Sequence, residues 1–275
     1  MSSSGGAIRI EVARFSHQGG RDYNEDALGE CEALGALGLF VLADGAGGQG
    51  GGDVASQTAI AATQVAFRQL PAFSAETIRR CIQHANQAVA DRQKAEARLA
   101  RMASTVVLFL VSYQNSQALL GNLGDSRCYV FRRSQVTAQS HDHSLVQRYI
   151  DVGLYPTEKL RQHPQRNVLY ASLGANEDEA QPYVSEQPIG LEPGDGILLC
   201  SDGVWELLED AQLGELHGAS SDVGAWRDRL MAAVQACMPA GHDNYSALLL
   251  RCLPALSSDD DTIPPGTRAA WQPQA

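Results

Sequence analysis

The chain has 275 residues, 44% of them apolar, with 26 glycines and a formal net charge of −11. The apolar share is ample for a sizeable core, and the acidic balance excludes nucleic acid and anionic membrane as main partners, because both require a basic face. An acidic excess serves solubility or gathers carboxylates around cations; two bound divalent ions would bring the total to about −7, so both readings fit.

Ala7 to Phe15 alternates apolar and polar positions and reads as a half-buried strand. Leu37 to Ala43 is near-continuously apolar and stops at Asp44-Gly45, the pattern of a buried strand ending in a loop. Asp53 is expected to cap an Ala-rich helix from about Val54 to Leu70, which Pro71 ends. Ser74 is the natural cap of a second helix, about Ala75 to Arg98, striped by Ile78, Ile82, Ala85 and Val89. The period then changes. Thr105 to Val111, Ala118 to Leu123 and Cys128 to Phe131 are short apolar or β-branched runs separated by turn residues, an antiparallel meander. His141 to Gly174 is polar and irregular, with short helices expected from Leu145 to Val152 and before Pro164. Gly196 to Cys200 is another buried strand, ending at Asp202-Gly203; a helix from about Ala225 to Cys237 and a last strand, Tyr245 to Leu250, follow.

Beyond Leu253 the composition turns to Ser, Asp, Pro and Gln, so a disordered tail is expected over residues 253–275. No linker-like stretch interrupts 8–252, which is expected to be one domain with a surface subdomain at 141–174. The expected fold class is α+β, a four-layer α-β-β-α sandwich of two mainly antiparallel sheets flanked by helices. The six cysteines form no C-x-x-C pair, no basic-then-apolar leader is visible, and Val106 to Val111 is too short to cross a bilayer. A cytoplasmic setting is therefore expected.

The acids fall in a pattern. Asp44 and Asp202 each follow an apolar strand and precede a glycine, Asp125 follows Gly124 after a third strand, and Asp243 stands just before the last one. Strand ends are rigid points, and neighbouring glycines let backbone approach closely. Hard cations such as Mg²⁺ or Mn²⁺ take oxygen ligands, so clustered carboxylates suit them, whereas a lone Asp-Gly is usually only a turn. Arg21 to Asp26 adds a guanidinium beside acids in a polar loop, either a solvated surface or a fork for phosphate oxygens.

These segments resemble, in order, the motifs of the type 2C (PPM) metal-dependent Ser/Thr protein phosphatases in their bacterial form. Arg21-Asp22-Tyr23-Asn24-Glu25-Asp26 is similar to the R-x-x-N-E-D opening, and Asp44-Gly45-Ala46-Gly47-Gly48, with Gly51 or Gly52, to the D-G-x-G-G loop. Met102-Ala103-Ser104-Thr105 resembles the Gly-Thr/Ser-Thr strand start with Ala103 in place of the usual Gly, and Gly121 to Arg127 matches G-x-x-G-D-S-R. Asp142 to Val146, His163 to Leu169 and Ser172 to Gly174 resemble the flap region; Leu199 to Trp205 and Asp243 to Ser246 resemble the two late metal motifs. The forms around Asp44 and Asp243 look like proteobacterial members, some associated with type VI secretion control.

The resemblance implies that Asp44 bridges two metals, with the Gly45 carbonyl on the first and Asp202 and Asp243 on the second. It further implies a water of the first metal for Glu25, the substrate phosphate for Arg21, and a third, weaker metal for Asp125. Asp26 belongs to the motif and is expected one step behind the ligands. The implied cofactors are Mn²⁺ or Mg²⁺, two tightly bound and a third weaker. The implied reaction is hydrolysis of phosphoserine or phosphothreonine on proteins by metal-activated water, reversing a cognate Ser/Thr kinase, by a chain expected to be a monomer. No cysteine is followed six positions later by arginine, so the spacing of a cysteine-nucleophile phosphatase is absent. Ala46 departs from the eukaryotic pattern, which often has a histidine there as a candidate general acid; His141, His143, His163 and His242 lie near motifs. Two rival readings are a nucleotide-phosphate cradle at Gly45 to Gly52, opposed by Asp53 and the missing Gly-Lys-Ser/Thr, and a catalytically inactive phosphoprotein-binding module.

Overall fold

In the computed structural model, which describes residues 8–33, 35–47, 51–175 and 181–255, the chain opens with β1 (Ile8–His17), β2 (Asp26–Ala33), β3 (Leu37–Ala46), α1 (Gly52–Gln69) and α2 (Ala75–Ala95). It continues through β4 (Ala103–Ser104), β5 (Val106–Ser112), β6 (Gln117–Leu123), β7 (Arg127–Arg132), β8 (Gln135–Gln139) and α3 (Leu145–Asp151). The remainder is β9 (Tyr183–Val184), β10 (Ile189–Gly190), β11 (Gly196–Cys200), α4 (Asp202–Trp205), α5 (Asp210–Gly218), α6 (Val223–Cys237) and β12 (Tyr245–Pro254). Among the described residues these strands form two sheets, ordered β1-β12-β11-β7-β8 and β10-β6-β5-β3-β2, with β4 beside β3 and β9 beside β6.

Side-chain parity explains the layers. In β3 the alternate residues Leu39, Val41 and Ala43 pack under α1 and α2, and Phe40 and Leu42 point into the space between the sheets. β5 divides the same way, Leu108 and Leu110 toward the helices and Val107 and Phe109 toward the other sheet. In β11, Leu198 and Cys200 meet Trp226, Leu230 and Val234 of α6, while Ile197 and Leu199 face inward. A strand covered on both faces is apolar at every position, which is why these segments read as unbroken runs. The expected sandwich of two antiparallel sheets flanked by helices is what forms.

Several local expectations change. Helix α1 starts at Gly52 with Gly51 at the cap, so Asp53 lies inside the first turn; the first free N–H, that of Gly52, donates to Glu25 Oε1 at 3.2 Å. Helix α2 ends at Ala95, and a separate 3₁₀ turn covers Ala97–Leu99. Helix α6 begins at Val223, where Asp222 accepts the Ala225 N–H. The helix expected before Pro164 is a single 3₁₀ turn, Thr157–Lys159. Leu253 and Pro254 close β12, and the rest of the expected tail, from residue 256, lies outside the described residues, as do residues 48–50 of the glycine-rich loop.

One polar group lies inside the β7 side of the core. Arg127 and Asp142 are both 2% exposed, joined by three hydrogen bonds of 2.7–3.2 Å, and Arg127 Nη1 also donates to the Tyr129 hydroxyl. Deleting one member of such a pair strands the other charge, which typically costs about 3–5 kcal/mol. Asp142→Ala is therefore expected to lower stability by that amount in urea unfolding. A loss under about 1 kcal/mol, the scale of an exposed pair, would contradict it.

Candidate metal centre

Antiparallel pairing puts the ends that matter on one rim. Asp26, first in β2, stands opposite Asp44 near the end of β3. The last residue of β11, Cys200, faces Arg127 at the start of β7 and Ala247 near the start of β12. At this rim a cleft of about 450 Å³ is lined by Arg21, Glu25, Asp44, Gly45, Asp125, Asp202 and Asp243, with Ala46 and with Asn167, Leu169 and Ser172 from the flap. Seven of the eight candidate residues thus share one cavity. Asp26 is behind it. A larger hollow of about 680 Å³ runs along α2 beside Gln181 and Pro182, and among the described residues Asp91 is its one carboxylate.

Short-range contacts fix the backbone under each acid. The Asp44 N–H donates to Thr105 Oγ1 at 3.0 Å, and the Asp44 carbonyl accepts from the Ser104 hydroxyl and the Thr105 N–H. Gly45 donates its N–H to the Glu25 carbonyl, and a side chain there would run into the carbonyl oxygens of Gly52 and Glu25. Only glycine fits that approach. Asp26 Oδ2 accepts from the Ser201 hydroxyl at 2.9 Å. Asn244 lies inside the Asp243 to Ser246 motif, where sequence alone assigns it no role. Its Oδ1 accepts the Glu25 N–H at 2.8 Å, and its Nδ2 donates to the carbonyls of Gln18 and Tyr23, so it pins the loop that carries Arg21 and Glu25. Its partners lie over 200 positions away in sequence, which no local pattern reveals.

The charge balance is strained. Five carboxylates line the cleft, and Arg21, ion-paired with Asp243, is the only basic side chain lining it among the described residues. Burial, then repulsion from Asp26, Asp202, Asp125 and Asp243, raises the Asp44 carboxyl well above its usual range. Asp202 is raised likewise, by burial, then by Asp125 and Glu206. Asp125 is pushed up to about 7 by burial and by Asp142, and Asp26 to about 6 by burial against the pull of two serine hydroxyls. Glu25 is raised mainly by burial.

Divalent cations fit this donor set. Asp202 Oδ1 and Asp26 Oδ1 are buried with no hydrogen-bond partner among the described residues, the signature of acceptors awaiting a ligand. No three of the acids close into a ready set of direct ligands among the described residues. Mg²⁺-like ions keep several waters and need only one or two carboxylates each, so an open rim of acids and a backbone carbonyl suits them. The described start of α1 offers no anion cradle: the Glu25 carboxylate occupies its first N–H, and Asp53 follows.

Comparison with known proteins decides the family. The family model for protein phosphatase 2C matches residues 15–237. The chain belongs to that family. It is 29% identical to the serine/threonine phosphatase stp of Listeria innocua over 235 residues, 84% of this chain and 90% of that one. The crystal structure of the Mycobacterium tuberculosis serine/threonine phosphatase PstP/Ppp superposes with a TM-score of 0.77 at 28% identity, over 90% of this chain and all of that one. A PstP catalytic domain in complex with two manganese ions gives 0.74 at 26% identity, over 90% and 99%. PppA, described as a key regulatory component of the type VI secretion system in Pseudomonas aeruginosa, gives 0.71 at 29%, over 90% and 99%. A structural relative of this chain thus binds manganese. No helix among the described residues is long and apolar enough to cross a membrane.

The raised carboxyls fix the sign of a pH dependence. With folded pKa values above the unfolded ones, the folded metal-free protein binds more protons, so its stability falls as pH rises. His143 and His217, held below the usual imidazole range by burial, act the other way on the acid side, so the test belongs between pH 6.5 and 8. In EDTA the melting temperature is expected to fall across that window, less so in Asp125→Asn, and Mn²⁺ is expected to flatten it. A metal-free melting temperature that rises across the window would sink the account.

Proposed function

We propose that the chain is a metal-dependent protein-serine/threonine phosphatase that hydrolyses phosphoserine and phosphothreonine on proteins. The observation that carries the reading is five carboxylates and one guanidinium gathered at strand ends around one cleft. In this assignment Asp44 would be shared by two divalent cations, the Gly45 carbonyl would serve the first, and Asp202 and Asp243 would hold the second. Glu25 would orient water at the first cation, Asp125 with Asp202 would take a third and weaker one, and Asp26 stands one step behind them, opposite Asp44 on the neighbouring strand. Mn²⁺ or Mg²⁺ bound there supplies positive charge for the phosphoryl oxygens and a water acidic enough to yield hydroxide near neutral pH. Arg21 stands exposed on its loop, so its planar fork is free to exchange Asp243 for two oxygens of a substrate phosphate. Strand ends hold the acids still, so charge is in place before the reaction needs it.

Ala46 lines the cleft, and no histidine does among the described residues. His143 Nε2 lies 3.0 Å from the Gln181 carbonyl and its Nδ1 against Gly124; His242 Nε2 lies 2.8 Å from the Gly203 carbonyl. His141 pairs with Asp151, and His163 Nδ1 accepts the Gln165 N–H. Protonation of the serine or threonine leaving group is therefore assigned to solvent.

The substrates are phosphoproteins made by a cognate Ser/Thr kinase, and the chain acts in signalling as a cytoplasmic monomer. Its likeness to PppA supports a regulatory role of that kind. The rival reading, an inactive phosphoprotein-binding member, finds no lost acid to support it.

The deciding experiment compares phosphothreonine and phosphotyrosine peptides with Mn²⁺ and with EDTA. Hydrolysis of the first is expected with Mn²⁺ only. Asp44→Asn, Asp202→Asn and Asp243→Asn should each lose at least about two orders of magnitude in kcat; wild-type rates from any of them would overturn its assignment.

A second test addresses the proton. A well-placed general acid contributes roughly 10²–10⁴-fold, and it matters more for an alkoxide than for p-nitrophenolate. Single alanine variants of His141, His143, His163 and His242 are expected to keep kcat on aryl phosphate. A variant that binds metal normally yet loses a hundredfold or so on phosphothreonine peptide alone would identify that histidine as the acid.

A further inference from the structure

Asp125 differs from the other acids in its support: a turn between β6 and β7 carries it. Gly124 in that turn has φ +105°, a left-handed conformation that favours glycine. Two tethers hold the turn. On one side the Ser126 hydroxyl bonds Thr105 Oγ1 at 2.6 Å, and the same Thr105 oxygen accepts the Asp44 N–H. On the other side the Asp125 carbonyl accepts the indole N–H of Trp205 at 2.9 Å.

Trp205 ends α4, the short helix that Asp202 begins. One hydrogen bond therefore joins the backbone of Asp125 to the helical turn bearing Asp202. The indole is held firmly: it is 1% exposed, and the Arg127 guanidinium lies over its ring at 3.5 Å. Arg127 is itself fixed by Asp142 and the Tyr129 hydroxyl. An indole has one donor, set by the plane of its ring, so locking the ring aims the bond.

We infer that Trp205 is a positioning residue whose indole N–H sets the spacing of the Asp125 and Asp202 carboxylates, and so the affinity of the weaker cation they share. The inference rests on the assignment of Asp125 made above. Phenylalanine would still fill the core and stack on Arg127, but it leaves the Asp125 carbonyl without this donor. Partners beyond the direct ligands typically change metal affinity by about 10–100-fold.

The test is Mn²⁺ titration calorimetry on wild type, Trp205→Phe and Asp125→Ala, with amide hydrogen exchange of residues 124–127 in EDTA. Trp205→Phe is expected to keep the tight binding events, weaken the last by about tenfold or more, and speed exchange in the turn before any metal is added. If Asp125→Ala retains the weak event, the assignment of Asp125 fails. If Asp125→Ala loses it and Trp205→Phe binds as wild type, the positioning role fails. Loss of the tight events in Trp205→Phe would make the indole a general support and overturn the inference equally. In wild type, following the ¹⁵N-indole signals through the weak phase of a Mg²⁺ titration needs no variant to fold: the Trp205 signal is expected to shift and that of Trp226 to stay, and a stationary Trp205 signal overturns the proposal.

Discussion

Mutual repulsion among Asp44, Asp125, Asp202 and Asp243 is the load this fold carries. Left to itself, a flexible loop bearing such acids would spread them into water, where screening is strong. Here each stands beside tethered backbone: Asp44 between two bonded strands, Asp125 in a turn held by Ser126 and Trp205, Asp202 at the first turn of α4, Asp243 two residues before β12. The two-sided burial of β3, β5 and β11 supplies the rigidity, because a strand packed on both faces has no direction in which to yield. Stability spent on holding acids together is returned when cations bind, since anything that binds only the folded state stabilises it.

Legibility from sequence followed the same logic. Strands covered on both faces announce themselves as apolar runs, so β3, β5, β6 and β11 were readable, and so was the striped helix α2. Strand β2 was not, because alternation is confined to its second half, where Glu30 and Glu32 are exposed beside buried Cys31 and Ala33, while Asp26 to Gly29 follow no strand period. Edge strand β8, Gln135–Gln139, has no buried residue and reads as polar loop. Asp53 misled because its type suits a cap, whereas the cap position fell to Gly51 and the capping carboxylate came from Glu25. Of the acids of the cleft, Asp44, Asp125 and Asp202 were visible through their glycine neighbours, Asp243 through its place before the last strand, and Glu25 through the motif it belongs to. Asn244, Thr105 and Trp205 act through hydrogen bonds to distant backbone, and nothing in spacing exposes them.

The use made of α1 separates this site from the nucleotide cradles that glycine-rich loops often form. A helix N-terminus attracts anions because its first N–H groups are unpaired and its dipole is positive there. Here that attraction is spent on the protein's own Glu25, whose carboxylate is drawn to Gly52 and so held at the rim. The pairing raises the local density of acid where a nucleotide site would keep it low.

Formal charge then orders the events of the proposed reaction. With its acids ionised, the cleft lining carries five negative charges against the one guanidinium of Arg21. A phosphomonoester, itself carrying close to two negative charges near neutral pH, is repelled by such a rim. Two divalent cations, as assigned, would cancel that deficit. Cation and phosphate binding are therefore linked, and by thermodynamic necessity each raises the affinity of the other by the same factor. Arg21 belongs to that linkage, because its partner Asp243 is also an assigned cation ligand, and one carboxylate oxygen cannot serve a guanidinium and a metal at full strength together. Whatever draws Asp243 toward a cation frees the fork of Arg21 for phosphate, so the residue that holds substrate is released by the event that makes substrate welcome.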